Sequence, residues 1–373
     1  MGKILRKGRD AIRAAVRDKP GIKSALVSAE DSVEMWKHSL AKRFPSLIKP
    51  RTRKMTVAIT AQCNLRCVGC KYGRDFMPGH VLSLDMVKGL MDDGRAAGAE
   101  TIRLYGGEPL LHKDLPAMIE HGIDIGLRVY VTTNGVLLER RIDEMYDAGL
   151  RDITLGYYGT GARYDAYTQR GERFDKMEAG VAAVRERYGK EVGMQLNFLI
   201  MRPSCDDEAL QGAWDFAERY DMSFHTDLVH YSLPYFTEGL DSEIQFRPED
   251  GPKLQRMADQ LVALKEAHPK RIPESIESLR SIPDWLTKGP DMRIPCDVYN
   301  MVWIGADGSV KLCYVTFDLG NLHDQRLSEM LYSETHTAAT RSAFKLECPN
   351  CHCERDSRIK KDRGAKRLYG SKA

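Results

Sequence analysis

Apolar and polar positions follow two alternating rhythms along the chain. Short apolar runs have the length and β-branched content of buried strands: TVAIT (56–60), TIRLY (101–105), LRVYVTT (127–133), DITLGY (152–157), VGMQLNFLI (192–200) and MSFHTDLV (222–229). Between them, stretches near 84–97, 114–121, 139–148, 174–188 and 206–220 repeat apolar residues at helical spacing. This βα order predicts parallel strands joined by right-handed crossovers. Six units are too few for an eight-unit barrel, so the predicted fold class is α/β, a partial (β/α)6 TIM-like barrel with a small C-terminal cysteine-rich module. On such a scaffold chemistry belongs at the C-terminal ends of the strands.

The rhythm breaks after residue 230. Residues 230–252 are irregular, as a lid or substrate loop would be, and a helix follows near 252–268. VWIGADGSVKLC (302–313) reads as a hairpin turned at Asp307-Gly308. At the other end, residues 1–20 read as a basic amphipathic helix with Leu5, Ile12 and Val16 on one face, and 44–54 as a linker. The expected organisation is 1–54 N-terminal basic helices and linker, 55–270 barrel, 271–354 cysteine-rich domain and 355–373 basic tail, frayed or helical.

Charge sharpens this division. Residues 1–54 hold fifteen Lys/Arg against five Asp/Glu, and residues 355–373 eight against two. With a formal net charge of +3 for all 373 residues, the stretch 55–354 carries −13. An acidic body argues against a nucleic-acid groove, so no stable nucleic acid partner is expected. The basic N-terminal helix reads as one packed on the main domain, with peripheral membrane contact as the alternative. No run of eighteen apolar residues and no secretory h-region is present, which points to a cytoplasmic protein whose nine cysteines stay reduced for metal or catalysis.

The cysteines carry the chemistry. Cys63, Cys67 and Cys70 form a C-x3-C-x2-C run directly after the first strand. Three thiolates suit an iron–sulfur cluster with one iron left open. Zinc, which wants four closed ligands, and reactive thiols are the competing accounts. One βα unit later the chain reads YGGEPLL (105–111), in which two glycines permit close backbone approach.

Together and in this order, the two motifs resemble the radical S-adenosylmethionine (radical SAM) superfamily over roughly 55–230, and TTNG (132–135) resembles its third strand end. The resemblance implies that Cys63, Cys67 and Cys70 ligate a [4Fe–4S] cluster whose open iron binds SAM. It also implies that Gly106, Gly107, Glu108 and Pro109 hold the methionyl end, with Asn134 nearby. Reductive cleavage of SAM to a 5′-deoxyadenosyl radical then abstracts a substrate hydrogen. Two residues depart from the family pattern. Gly69 stands where an aromatic residue usually precedes the third cysteine, with Tyr72 a substitute for the adenine contact. Gly156, in GYYG, stands where a Ser is common. Arg170 resembles an arginine that pairs with the SAM carboxylate, and Asn197 is a further contact candidate.

Cys296, Cys313, Cys348, Cys351 and Cys353 form a second set, which suits a zinc knuckle on spacing alone. Beside the first motifs it resembles a twitch or SPASM extension with one auxiliary iron–sulfur cluster, of the [4Fe–4S] type, ligated by Cys296, Cys313, Cys348 and Cys351. His352 is read as exposed or as a neighbour of the ligands. Cys353, an alternative ligand in place of Cys351, and Cys205 are then spare thiols, and either is a candidate catalytic hydrogen donor.

The reading is an iron–sulfur enzyme of oxidoreductase or epimerase type. It dehydrogenates or epimerises a small carbohydrate-like or other metabolite, served by an electron donor such as flavodoxin or ferredoxin. Peptide maturation and RNA modification are the alternatives. Tyr157, Tyr158, His225, Asp227 and Tyr231 are candidates for the substrate pocket.

Overall fold

The computed structural model describes residues 32–231, 243–313 and 316–370. The proposed membrane-contacting helix over 1–20 and residues 232–242 of the expected 230–252 loop lie outside the described residues.

Six parallel strands form the barrel wall: β1 (Lys54–Thr60), β2 (Thr101–Gly106), β3 (Arg128–Thr133), β4 (Asp152–Tyr157), β5 (Gly193–Ile200) and β6 (Ser223–Leu228). The crossovers carry helices α1 (Leu84–Ala97), α2 (Leu115–Asp124), α3 (Leu138–Asp147), α4 (Ala162–Thr168), α5 (Arg173–Tyr188) and α6 (Asp207–Arg219). Capping chemistry sets their ends. The Ser83 hydroxyl accepts from Met86 N at 3.2 Å to start α1, and Gly98 ends it at φ +111°. The Asp206 carboxylate accepts from Ala209 N at 2.8 Å to start α6. Val57, Ile59, Leu104 and Val131 pack against the helices and are at most 1% exposed. Facing the barrel interior, by contrast, are polar side chains such as Arg103, Tyr130, Thr132, Gln195 and Asn197.

After β6 come α7 (Gly251–Ala267), α8 (Ile276–Arg280) and α9 (Ile282–Lys288), then β7 (Met301–Ile304), β8 (Ser309–Lys311) and β9 (Asp318–Asn321). The hairpin at Asp307-Gly308 forms between β7 and β8, with Gly308 at φ +79°. It does not stand apart from the barrel. β7 pairs in parallel with the free edge of β1, from Lys54↔Met301 to Val57↔Ile304, so one nine-stranded sheet runs β6-β5-β4-β3-β2-β1-β7-β8-β9. Two helices follow, α10 (Leu327–Met330) and α11 (Glu334–Phe344).

Residues 355–370 are ordered helices, α12 (Arg355–Lys361) and α13 (Arg363–Gly370). Tyr369 donates to Asp284 at 2.6 Å, and Lys361 pairs with the buried Asp297 at 2.7 Å. Among the described residues no helix is long and apolar enough to cross a membrane.

Candidate active site

The loop after β1 is pinned on three sides. Toward β2, Gly107 N donates to Thr60 O and Glu108 N to Gln62 O, both at 2.8 Å. This approach leaves no room for a side chain: a Cβ on Gly107 would lie 2.3 Å from the Gln62 carbonyl oxygen, and one on Gly106, at φ +151°, 2.1 Å from that of Thr60. Toward α4, Val68 N donates to Tyr167 O at 2.8 Å and Arg66 N to Thr168 O at 3.0 Å. Toward β3, the Asn134 side chain donates to Asn64 Oδ1 at 2.8 Å. Arg74 closes the loop on itself by donating to the carbonyls of Cys67 and Cys70.

Held this way, Cys63, Cys67 and Cys70 all line one cavity of about 600 Å³ at the C-terminal end of the barrel. Crowding by the surrounding chain pushes all three thiols up, and the nearby thiols add to this for Cys63 and Cys67. Bare thiolates are therefore disfavoured there, while a cationic iron group would displace the thiol protons. Among the described residues no three Cys, His, Asp or Glu side chains converge as a single-ion site needs. A cubane takes each thiolate at a different iron, so its ligands need not meet at one point. The donor set fits the cluster.

Gly106, Gly107, Tyr72, Asn134 and Asn197 line the same cavity. Glu108 and Pro109 do not. Glu108 is fully buried, and its carboxylate accepts from Thr133 Oγ1 at 2.7 Å, Asn134 N at 2.9 Å and Leu110 N at 3.0 Å. Burial raises this carboxyl to about 7 against the pull of those three donors. It braces the end of β3 instead of reaching a ligand, and Pro109 begins the buried turn beneath it. Glu108→Ala strands three buried donors and is expected to cost about 2–4 kcal/mol. Chemical denaturation of the metal-free protein measures that loss.

Two further expectations are corrected. Arg170 is exposed on the turn after α4 and does not line the cavity. The Asp165 carboxylate gathers Glu172 N, Arg173 N and Phe174 N at 2.7–2.9 Å, which folds that turn away from the site. Cys205 is 1% exposed in the apolar core, 4.0 Å from the Lys253 carbonyl. The turn Arg202–Ser204 carries it outward to α7, so it is no hydrogen donor to the cavity. Of the pocket candidates, Tyr158, His225 and Asp227 line the cavity, whereas Tyr157 is buried against Phe216 and neither it nor Tyr231 lines it.

The departures from the family pattern have local causes. Gly69 sits at φ +75°, where an aromatic residue would be strained, and the Tyr72 ring lies on the cavity wall beside Cys70. A Cβ at Gly156 would lie 2.4 Å from the Tyr158 hydroxyl. That tyrosine folds back over the strand end and packs on Tyr167, ring centroids 4.7 Å apart.

On the open side of the barrel, residues 352–357 also line the cavity. Glu354 pairs with Lys54 of β1 at 3.1 Å, while Arg355 donates to Thr226 of β6 at 2.7 Å. The segment therefore bridges the gap between the first and last strands. It carries Cys353 into the cavity, 3.8 Å from His230 Nε2, with the His230 and His352 rings 4.1 Å apart. His352 is itself buried, 5% exposed, and lines the cavity. Burial pushes His230 down to about 4, so it stays neutral.

Cys296, Cys313, Cys348 and Cys351 stay outside the cavity lining. Cys351 shares a hydrogen bond with Cys353, and Cys353 also interacts with Cys296 and Cys313. The bridging residues Lys54, His230, Glu354 and Arg355 escaped sequence reasoning, and His352 is buried on the cavity wall, not exposed. Only Cys353, read as a spare thiol of the second cysteine set, hinted at them.

Comparison with known proteins agrees with this geometry. Residues 57–210 match the Radical SAM superfamily, and residues 296–354 match an iron–sulfur cluster-binding domain, SPASM. A probable GTP 3′,8-cyclase of Methanococcus maripaludis is 31% identical over 176 residues, 45% of this chain and 55% of that protein. GTP 3′,8-cyclase of Lactiplantibacillus plantarum is 33% identical over 160 residues, 41% and 47% respectively. The chain thus spans about half the length of the curated relatives it matches.

Among solved structures, native anSMEcpe with bound AdoMet and Cp18Cys peptide has a TM-score of 0.59 at 18% identity, covering 79% of this chain and 84% of that one. Streptococcus suis SuiB bound to precursor peptide SuiA has a TM-score of 0.60 at 13% identity, covering 82% and 70%. At these identities the likeness shows the fold. The cofactors that go with the two matched domains are a [4Fe–4S] cluster with SAM and an auxiliary iron–sulfur cluster. With three thiols open to a cavity at one end and a second cysteine set behind its wall, this chain belongs to the radical SAM superfamily and carries a SPASM-type auxiliary domain.

Proposed function

We propose that this radical SAM iron–sulfur enzyme epimerises a small, hydroxyl-rich metabolite, with Cys353 returning a hydrogen atom to the substrate. One observation carries the reading: Cys353 and the triad Cys63, Cys67 and Cys70 line the same cavity. In this reading the triad holds the [4Fe–4S] cluster, and Gly106, Gly107, Asn134 and Tyr72 surround SAM. When bound, this pair supplies reductive SAM cleavage and removal of a substrate hydrogen atom. Cys296, Cys313, Cys348 and Cys351 hold the auxiliary cluster.

The chain's own residues account for binding and orientation. Tyr130, Thr132, Gln195, Asn197, His225 and Asp227 line the barrel interior and offer donors and acceptors suited to hydroxyl groups. Cys353 approaches from the wall opened between β6 and β1. Its S–H bond breaks as a C–H bond forms on the substrate. Restoring the thiol then takes one proton and one electron, the latter from a donor of the flavodoxin or ferredoxin class.

The curated relatives match only 41–45% of this chain, so their nucleotide substrate does not carry over to it. Peptide modification is the second reading, favoured by the shared fold of anSMEcpe and SuiB, whose solved structures hold peptides. Turnover in D2O separates the outcomes. Epimerisation through an exchangeable thiol places one solvent deuterium in the product, whereas dehydrogenation places none. Stimulation of 5′-deoxyadenosine release by peptides but not by aminosugars or polyols would favour the second reading.

A further inference from the structure

Arg358, in the middle of α12, is fully buried. Its Nη atoms donate to the carbonyls of Cys351 and Ile294 and to Asn350 Oδ1 at 3.2 Å, and its guanidinium lies over the Trp285 ring at 4.6 Å. Asn350, at φ +59°, ties the same loop down by donating to the Pro290 and Met292 carbonyls and accepting from Cys351 N. Each of these partners of Arg358 is neutral, and its buried Nε has no hydrogen-bond partner among the described residues. A guanidinium is never deprotonated in a protein, so this is a full positive charge held in a low-dielectric interior among neutral groups.

Burial of such a charge is strongly unfavourable unless an anion lies beside it. Besides Tyr231 and His352, the groups that feel Arg358, which binds the carbonyl of Cys351 directly, are Cys296, Cys348 and Cys351. As thiols they are neutral. As thiolate ligands of an iron–sulfur cluster they make the assembly anionic overall, and one-electron reduction makes it more so. A fixed neighbouring cation therefore favours the reduced form, and charge and hydrogen bonding near a cluster set its potential.

We propose that Arg358 is the counter-charge of the auxiliary cluster and holds its reduction potential up, so that this site accepts an electron readily. The proposal rests on reading Cys296, Cys313, Cys348 and Cys351 as cluster ligands. Arg358 is a positioning and tuning residue, separated from the substrate cavity by the Cys351–Cys353 turn.

The test is an EPR-monitored redox titration of the full chain with Cys63, Cys67 and Cys70 replaced by Ala, so that only the auxiliary site holds iron. In this background Arg358→Met is expected to shift the reduced-to-oxidised ratio at fixed potential about tenfold toward oxidised, a fall of about 59 mV for one electron. An unchanged potential with iron content intact overturns the proposal. Should Arg358→Met fail to load iron, Arg358→Lys keeps the charge and Arg358→Gln keeps only hydrogen bonding. Lys near the wild-type potential with Gln about tenfold lower supports the proposal, and equal potentials overturn it. Zinc in place of iron in the unsubstituted background overturns the auxiliary-cluster reading and this proposal together.

Discussion

Replacing Cys63, Cys67 and Cys70 together with Ala is expected to remove about four of about eight irons per chain and to abolish SAM cleavage. The effect is large because the three thiols are the only cysteines on that side of the cavity. The scaffold around them should persist. Its loop is held by backbone bonds to Gly107, Glu108, Tyr167 and Thr168, none of which uses a sulfur. Iron and sulfide analysis, with circular dichroism to establish folding, measures the outcome. Retention of all the iron would mean that the C-terminal cysteines hold more than one cluster.

Cys353→Ser is the second large effect. An O–H bond is too strong to give a hydrogen atom to a carbon radical, whereas an S–H bond is not. Product formation should fall at least tenfold, about 1.4 kcal/mol or more in activation free energy, while SAM cleavage and iron content stay close to wild type. The neighbouring structure is tolerant of the change: the Lys54–Glu354 and Thr226–Arg355 contacts that carry residue 353 into the cavity do not involve its side chain. Loss of about four irons would instead make Cys353 an auxiliary ligand in place of Cys348 or Cys351. Its hydrogen bond to Cys351 keeps that outcome within geometric reach.

Much of the fold was legible because it is local and periodic. Runs such as TVAIT and LRVYVTT alternate with helical stretches, and β1 and β3 form at those places. The pairing of β7 with β1 was not legible: it joins residues 54–57 to 301–304, and no local pattern announces a partner so distant in sequence. The same holds for the segment that closes the barrel. Lys54 and Glu354 look like ordinary surface charges until both strand edges are in place.

At the site, spacing identified the cysteine triad and the two glycines, since those motifs constrain the backbone itself. Side-chain direction was not readable. Glu108 follows Gly107 immediately, yet it turns inward to Thr133 and Asn134, whereas a contact with SAM was expected. Cys205 sits just past a strand end, but the intervening turn points it to the helix layer. Gly156 looked like a missing serine. Its lack of a Cβ is what gives the Tyr158 hydroxyl room over the strand.

The central claim is that the open triad exists to hold SAM for reductive cleavage at the mouth of a polar barrel. Release of 5′-deoxyadenosine by the anaerobically reconstituted full chain, given SAM and dithionite, tests it most directly. The account predicts release from the wild type and none from the variant with Cys63, Cys67 and Cys70 replaced by Ala. Wild-type protein that carries about eight irons per chain and still releases no 5′-deoxyadenosine would contradict it.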